Sequence, residues 1–226
     1  MLNGPTYEEL VKHFFVRASI YDFEAAKLEE TEKILIDPSL EGKTREEMSL
    51  KEFTRTEIHS SVLGILVTIS KEVIARAIGC PNEGNFQWNL NAKTSSWLET
   101  TRNLLHKDTP TLVYKNMSPE LKILQKLIQE TFLLKGGGTD QLSLDHKVFL
   151  YHLVKLEKVN MPKYTFNHMF WALRESQHIR RRFIPYGRLI SEIFHQGKLL
   201  QVLKTVGVVA DSQLGTMTRK IMNGRT

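Results

Sequence analysis

What the chain has little of bounds it first. One cysteine, Cys80, among 226 residues leaves no intramolecular disulfide and no cysteine-rich zinc module, and it suits a reducing compartment. No uncharged run approaches the length of a bilayer span, and the opening Met1-Leu2-Asn3-Gly4-Pro5 lacks the basic segment and apolar stretch of a signal peptide. A soluble intracellular protein, nuclear or cytoplasmic and without a membrane segment, is the expectation. The eight histidines include no pair at i, i+4 and no His-Glu-x-x-His arrangement, so neither a metal nor another cofactor is expected. Gly136-Gly137-Gly138 lacks the Lys-Ser/Thr and the preceding strand that a phosphate loop needs, and it reads as an interhelical loop. Ser191 and His195 stand four apart on an expected helix with no orienting carboxylate or oxyanion hole in view, and read as polar residues of a helix surface. The chain therefore leans away from enzymes: no catalytic residue and no small-molecule substrate is assigned. Metal-dependent strand transfer, as in a transposition enzyme, ranks last because the basic half has no dense pair of acids.

Charge is present and unevenly divided. Residues 1–112 hold 13 Lys or Arg against 17 Asp or Glu, a net of −4, and residues 113–226 hold 18 against 8, a net of +10. A basic half is attracted to polyanions, which is an argument about partners and not about fold. At this length enough surface is buried, roughly 70% of the unfolded total, to build a core without staples.

Periodicity points to a mainly α, multi-helix globular domain with a small β-hairpin near residues 62–90. Thr6 and the acidic Glu8 and Glu9 open a first helix, Tyr7 to about Ala18. Asp22 to Ile36 has few apolar residues, so much of it must face water, and Asp37-Pro38 ends it. Thr44 and Glu47 spell a capping box. From Glu57 to Ser70 the β-branched Val62, Ile65, Val67 and Ile69 mark a strand, which the alternating Phe86, Trp88 and Leu90 are placed to pair with. Ser70 caps a helix to Ile78 with Gly79 as its left-handed terminator. Helices follow at Ser95–Leu105, after Ser118-Pro119-Glu120, and over Ser143–Val159, which is apolar nearly all round and should sit at the core. Thr165–Ile179, Pro185–Gln196, Leu199–Thr205 and Gln213–Met222 complete the series. Residues 1–112, acidic with helices and a hairpin, and residues 113–226, basic and all-helical, are expected to pack as one domain. Trp88, Trp97, Trp171 and Cys80 are taken as packing residues.

The sharpest local feature is His178-Ile179-Arg180-Arg181-Arg182-Phe183-Ile184-Pro185-Tyr186-Gly187-Arg188. Arg180, Arg181, Arg182 and Arg188 are placed to grip phosphates while the ring of Tyr186 stacks a base, and Lys198, Lys204, Arg219, Lys220 and Arg225 extend that surface. The competing reading is a solvated helix end followed by a proline start that buries Phe183 and Ile184.

Several collinear stretches carry a resemblance. Gly4-Pro5-Thr6-Tyr7-Glu8-Glu9-Leu10-Val11-Lys12, Phe15-Val16-Arg17-Ala18, Ile20-Tyr21-Asp22, Asp37-Pro38-Ser39-Leu40-Glu41-Gly42-Lys43-Thr44-Arg45, Thr56-Glu57-Ile58, Lys135-Gly136-Gly137-Gly138 and Ile184-Pro185-Tyr186-Gly187-Arg188-Leu189-Ile190-Ser191-Glu192 resemble the plant transposon protein domain. That domain occurs in envelope-like open reading frames of legume gypsy-type retroelements, of the Athila and Calypso kind. The likeness spans nearly the whole chain and brings no catalytic motif. It implies a retrotransposon-derived, non-enzymatic protein acting by binding a macromolecule, either a protein or, through the basic half, a nucleic acid. An envelope-like product is expected to continue into a membrane-associated or coiled-coil portion. This chain ends at Asn223-Gly224-Arg225-Thr226 without either, as expected of a fragment or decayed copy.

Overall fold

The computed structural model describes residues 4–86, 114–134, 143–178 and 186–207. Among them it is mainly α with one small antiparallel sheet: α1 (Glu8–Val16), β1 (Ser19–Tyr21), α2 (Phe23–Ile36), β2 (Glu57–Val62), β3 (Ile65–Ile69), α3 (Lys71–Ile78), α4 (Pro119–Thr131), α5 (Leu144–Val154), α6 (Met161–His178), α7 (Gly187–Gln196) and α8 (Leu199–Thr205). The helices expected at Ser95–Leu105 and Gln213–Met222, and the triple glycine, lie outside the described residues.

Local chemistry sets most of these boundaries. Asp22, Ser70 and Ser118 cap α2, α3 and α4, their side chains accepting from the amides of Ala25, Val73 and Leu121. Gly79 ends α3 in the left-handed region, as expected. The capping-box contacts form too: Glu47 Oε2 accepts from the Thr44 amide at 2.7 Å, although the chain there makes a short run of turns and no lasting helix.

The expected single strand at 57–70 is two strands. The chain reverses at Leu63 and Gly64, both with positive φ, so that Ile58 pairs with Ile69 and Val62 with Ile65. Two residues with φ above zero make the hairpin turn that matches strand twist. The outer partner of β2 is β1, with Ser19 opposite His59 and Tyr21 opposite Glu57. Phe86 is not part of the sheet and instead packs edge-on against Tyr164, while residues 87–90 lie outside the described set.

Helix α5 stops at Val154 where the apolar pattern suggested Val159. Leu156 takes φ 55 and is 92% exposed, which turns the chain so that 157–160 run alongside Gly84 and Asn85. Asn85 donates its amide to Lys158 O at 2.7 Å and accepts from the Asn160 amide at 2.9 Å. Gly84 is required there: it has φ 114, and a Cβ on it would fall 2.7 Å from Lys158 O. Asn160 Oδ1 accepts from the Lys163 amide, so α6 begins a turn before the expected Thr165.

Two apolar clusters form the interior. The larger joins Leu10 and Phe14 of α1, Ile58, Val62 and Ile69 of the sheet, Ile74 of α3, Phe166, Met169 and Leu173 of α6, and the inner faces of α7 and α8. The smaller holds Ile128, Leu133, Phe149, Leu150 and Tyr164. Helix α6 contributes to both. Each fully buried Phe or Ile contributes about 1.5–3 kcal/mol relative to exposure. Polar bonds pin the layers: Ser60 Oγ donates to Phe14 O at 2.6 Å, and Ser191 Oγ accepts from the Tyr7 amide at 3.0 Å.

Candidate functional site

Of the residues expected to contact phosphates, Arg188 on α7, Lys198 in the corner between α7 and α8, and Lys204 on α8 are exposed. Arg180, Arg181, Arg182, Arg219, Lys220 and Arg225 lie outside the described residues. The inner faces of the two helices, Leu189, Ile190, Ile193, Phe194, Leu199, Leu200 and Leu203, are buried, which fixes what remains outward. From Gly187 to Gly207 the charged side chains are Arg188, Lys198 and Lys204 against Glu192, a surplus of two cations, with His195 71% exposed beside them. Lys204 lies in the last turn of α8, where the helix dipole favours a cation. Lys198 occupies the left-handed corner between the helices, φ 59, and projects from the surface.

Tyr186 corrects the expectation of a stacking ring. It is 4% exposed, and its hydroxyl donates to Phe132 O at 2.7 Å and lies 2.8 Å from His168 Nδ1. Burial pushes its phenol well above the ordinary value, so it stays neutral and tethers α7 to the end of α4. Its positive φ, 64, sets the entry of the chain into α7. A base therefore has no access to this ring.

Ser191 and His195 do not form a catalytic pair. Ser191 is 1% exposed, and its hydroxyl donates to Gly187 O at 2.7 Å, so it is an interior clamp and not the surface residue expected. Trp171 also departs from a packing role: it is 37% exposed at the surface of α6, with the Arg174 guanidinium 6.0 Å from its ring. Cys80 is half-buried and free. Among the described residues no three His, Cys, Asp or Glu side chains gather in a metal-holding group, and no helix is long and apolar enough to cross a membrane.

A second polar assembly, absent from the sequence expectations, sits in the acidic half at the β1 edge of the sheet. A shallow cleft of about 200 Å³ is lined by Tyr21, Glu29, Lys51, Arg55, Glu57 and His59, among others. Arg45 holds its wall with all its N–H groups engaged: Nε on Lys51 O at 2.8 Å, Nη1 on Ala26 O and Glu30, Nη2 on Tyr21 Oη and Glu29. Glu57 accepts from His59 Nε2 at 2.9 Å and from Arg55 Nε at 3.0 Å, and Arg55 reaches Glu72 at 3.1 Å. Burial alone would raise the Glu57 carboxyl. The bonds from His59 and Arg55 outweigh it and hold the group below the ordinary glutamate value. Glu29 follows the same logic, burial being outweighed by Arg45 and Tyr21. The Tyr21 ring stacks on His59, 4.8 Å between centroids at 12°.

These groups satisfy one another. Arg45, Arg55 and Glu57 are each spent on a protein partner, so the cleft wall is a structural ion-pair network. The signal that would have located it is the Tyr21-Asp22 and Thr44-Arg45 pair of stretches, whose side chains meet only after α2 folds back. No protein-family model, no curated protein and no solved structure matches the chain.

Proposed function

We propose that the chain is a binding module of retrotransposon descent, not an enzyme, and that it engages nucleic acid through the outward face of α7 and α8. The observation that carries this reading is the exposed set Arg188, Lys198 and Lys204 on two helices and the corner joining them, whose opposite faces are locked into the core. Cations held on a rigid, amphipathic pair meet phosphates without an ordering cost for the backbone. Descent is supported by the collinear stretches that resemble the plant transposon protein domain. A protein partner is the competing occupant of the same face.

The reading is tested by fluorescence anisotropy of labelled single- and double-stranded DNA and RNA with the full chain, beside a triple variant, Arg188→Ala, Lys198→Ala and Lys204→Ala. Binding on the order of micromolar, lost or weakened at least tenfold in the variant, supports it. Absence of binding, or binding that survives the triple change, transfers the face to a protein partner.

A further inference from the structure

Strand β3 is an open edge of the sheet. The strand order is β1-β2-β3, so β1 and β3 are the two outer strands. The β1 edge packs against α2 and α6, whereas β3 packs chiefly on β2, and among the described residues no strand pairs with its outer side. Leu63 and Gly64 make a two-residue turn, so Val62 and Ile65 form the first hydrogen-bonded pair of the ladder. The ladder then alternates: Ile65, Val67 and Ile69 direct their N–H and C=O groups at β2, and those of Leu66 and Thr68 point outward. The side chains of both outward residues are exposed, Leu66 by 84%.

Open edges are commonly guarded by a lysine, a proline or a bulge. Strand β3 has none of these: Ile65-Leu66-Val67-Thr68-Ile69 pairs with β2 without interruption, and no charged side chain stands from Ser60 to Ser70. The strand is also its own complement. Turned about a two-fold axis through Val67, a second β3 sets Leu66 of each copy opposite Thr68 of the other, and every outward N–H meets an outward C=O. Val67 then faces Val67 and Ile65 faces Ile69, which are favourable β-branched pairs. The nearest cation along the strand, Lys71, comes opposite Leu63, so no like charges are apposed. A foreign strand carrying Lys, Asp or Glu would set those charges against apolar side chains, and a second β3 has none to set there.

We propose that the chain forms a two-fold dimer in which β3 pairs antiparallel with β3 of a second copy, joining the two sheets into one. The same surface serves on both sides, so the contact closes at two chains. A strand of 5 residues on each side is a small interface, which places the dimer among weak associations, on the order of micromolar. Backbone bonds and apolar side chains hold it, so salt has little effect on it. The contact uses no residue of α7 or α8, and it stands or falls apart from the nucleic-acid reading.

Sedimentation velocity of the full chain from low to high micromolar concentration tests this. Mass rising from the 26.1 kDa of one chain towards twice that value is expected. Amide hydrogen exchange at the two extremes of concentration reads the register: the Leu66 and Thr68 amides exchange freely in the dilute protein and slow by about tenfold or more in the concentrated one, while those of Ile65, Val67 and Ile69 are protected in both. Leu66→Lys with Thr68→Lys sets like charges opposite each other and returns the protein to a single-chain mass with unchanged circular dichroism, and Leu66→Glu with Thr68→Glu does the same. Mixing the two variants restores the doubled mass, because each cation then faces an anion. A single-chain mass at every concentration overturns the proposal, as does association that leaves the Leu66 and Thr68 amides exchanging freely or that survives the lysine pair. Failure of the mixed variants to associate overturns the two-fold register. Because the exchange measurement uses the unaltered chain, it decides the question even where a variant does not fold.

Discussion

Arg45 shows how much of this fold rests on single side chains. Its side chain is 13% exposed, and its donors bind the backbone of Ala26 and Lys51, the carboxylates of Glu29 and Glu30 and the hydroxyl of Tyr21. Removing it leaves two partly buried carboxylates and two carbonyls without their donor. Arg45→Met is expected to cost about 3 kcal/mol, a fall in melting temperature of roughly 6–12 °C for a chain of this size. Arg45→Lys recovers little, because a point ammonium cannot reproduce the planar fork. Calorimetry of the two variants checks both statements. Tyr21, Asp22, Glu57, Ser191 and Tyr186 are likewise each occupied in capping, clamping or pairing.

At the scale of elements, legibility followed locality. The caps at Asp22, Ser70 and Ser118 and the terminator Gly79 were readable because each bond closes within a few residues. The hairpin was misread because Leu63 stands where a turn prefers Asn, Asp or Gly, so that Glu57–Ile69 looked like one strand. The shortened α5 was hidden for a different reason: its stop depends on a partner at Gly84 and Asn85, more than seventy residues earlier in the chain. Helix α4 makes a sharper prediction. Gln125 and Gln129, four apart on one face, are 0% and 7% exposed, and among the described residues none of their amide N or O atoms has a hydrogen-bond partner. A buried amide in that state costs about 1–3 kcal/mol. Gln125→Leu is therefore expected to raise stability by about 1 kcal/mol, read as a higher midpoint in urea with an unchanged slope. A lower midpoint would show that the amides are satisfied by ordered water.

For the whole molecule, the two halves differ in net charge but share their core, since the larger cluster takes residues from Leu10 to Leu203. Acid sensitivity follows from the N-terminal network. Glu29, Glu57 and Glu72 are held below the ordinary glutamate value by hydrogen bonds and cations that outweigh burial. A depressed carboxylate contributes stability that is fully present above its unfolded value, about 4.3, and lost as pH falls through the folded one. The melting temperature is expected to drop steeply below about pH 4.5, and Glu57→Gln to flatten that drop while lowering stability at neutral pH. Thermal melts across pH 3–7 read the difference.

The proposed cationic face of α7, α8 and the corner between them is tested most directly by the salt dependence of nucleic-acid binding. Affinity plotted against salt on logarithmic axes gives a slope proportional to the phosphates neutralised. The exposed Arg188, Lys198 and Lys204 predict that the triple alanine variant flattens that slope by about 3 relative to the unaltered chain. An identical slope in the two proteins, or no binding at any salt, contradicts it.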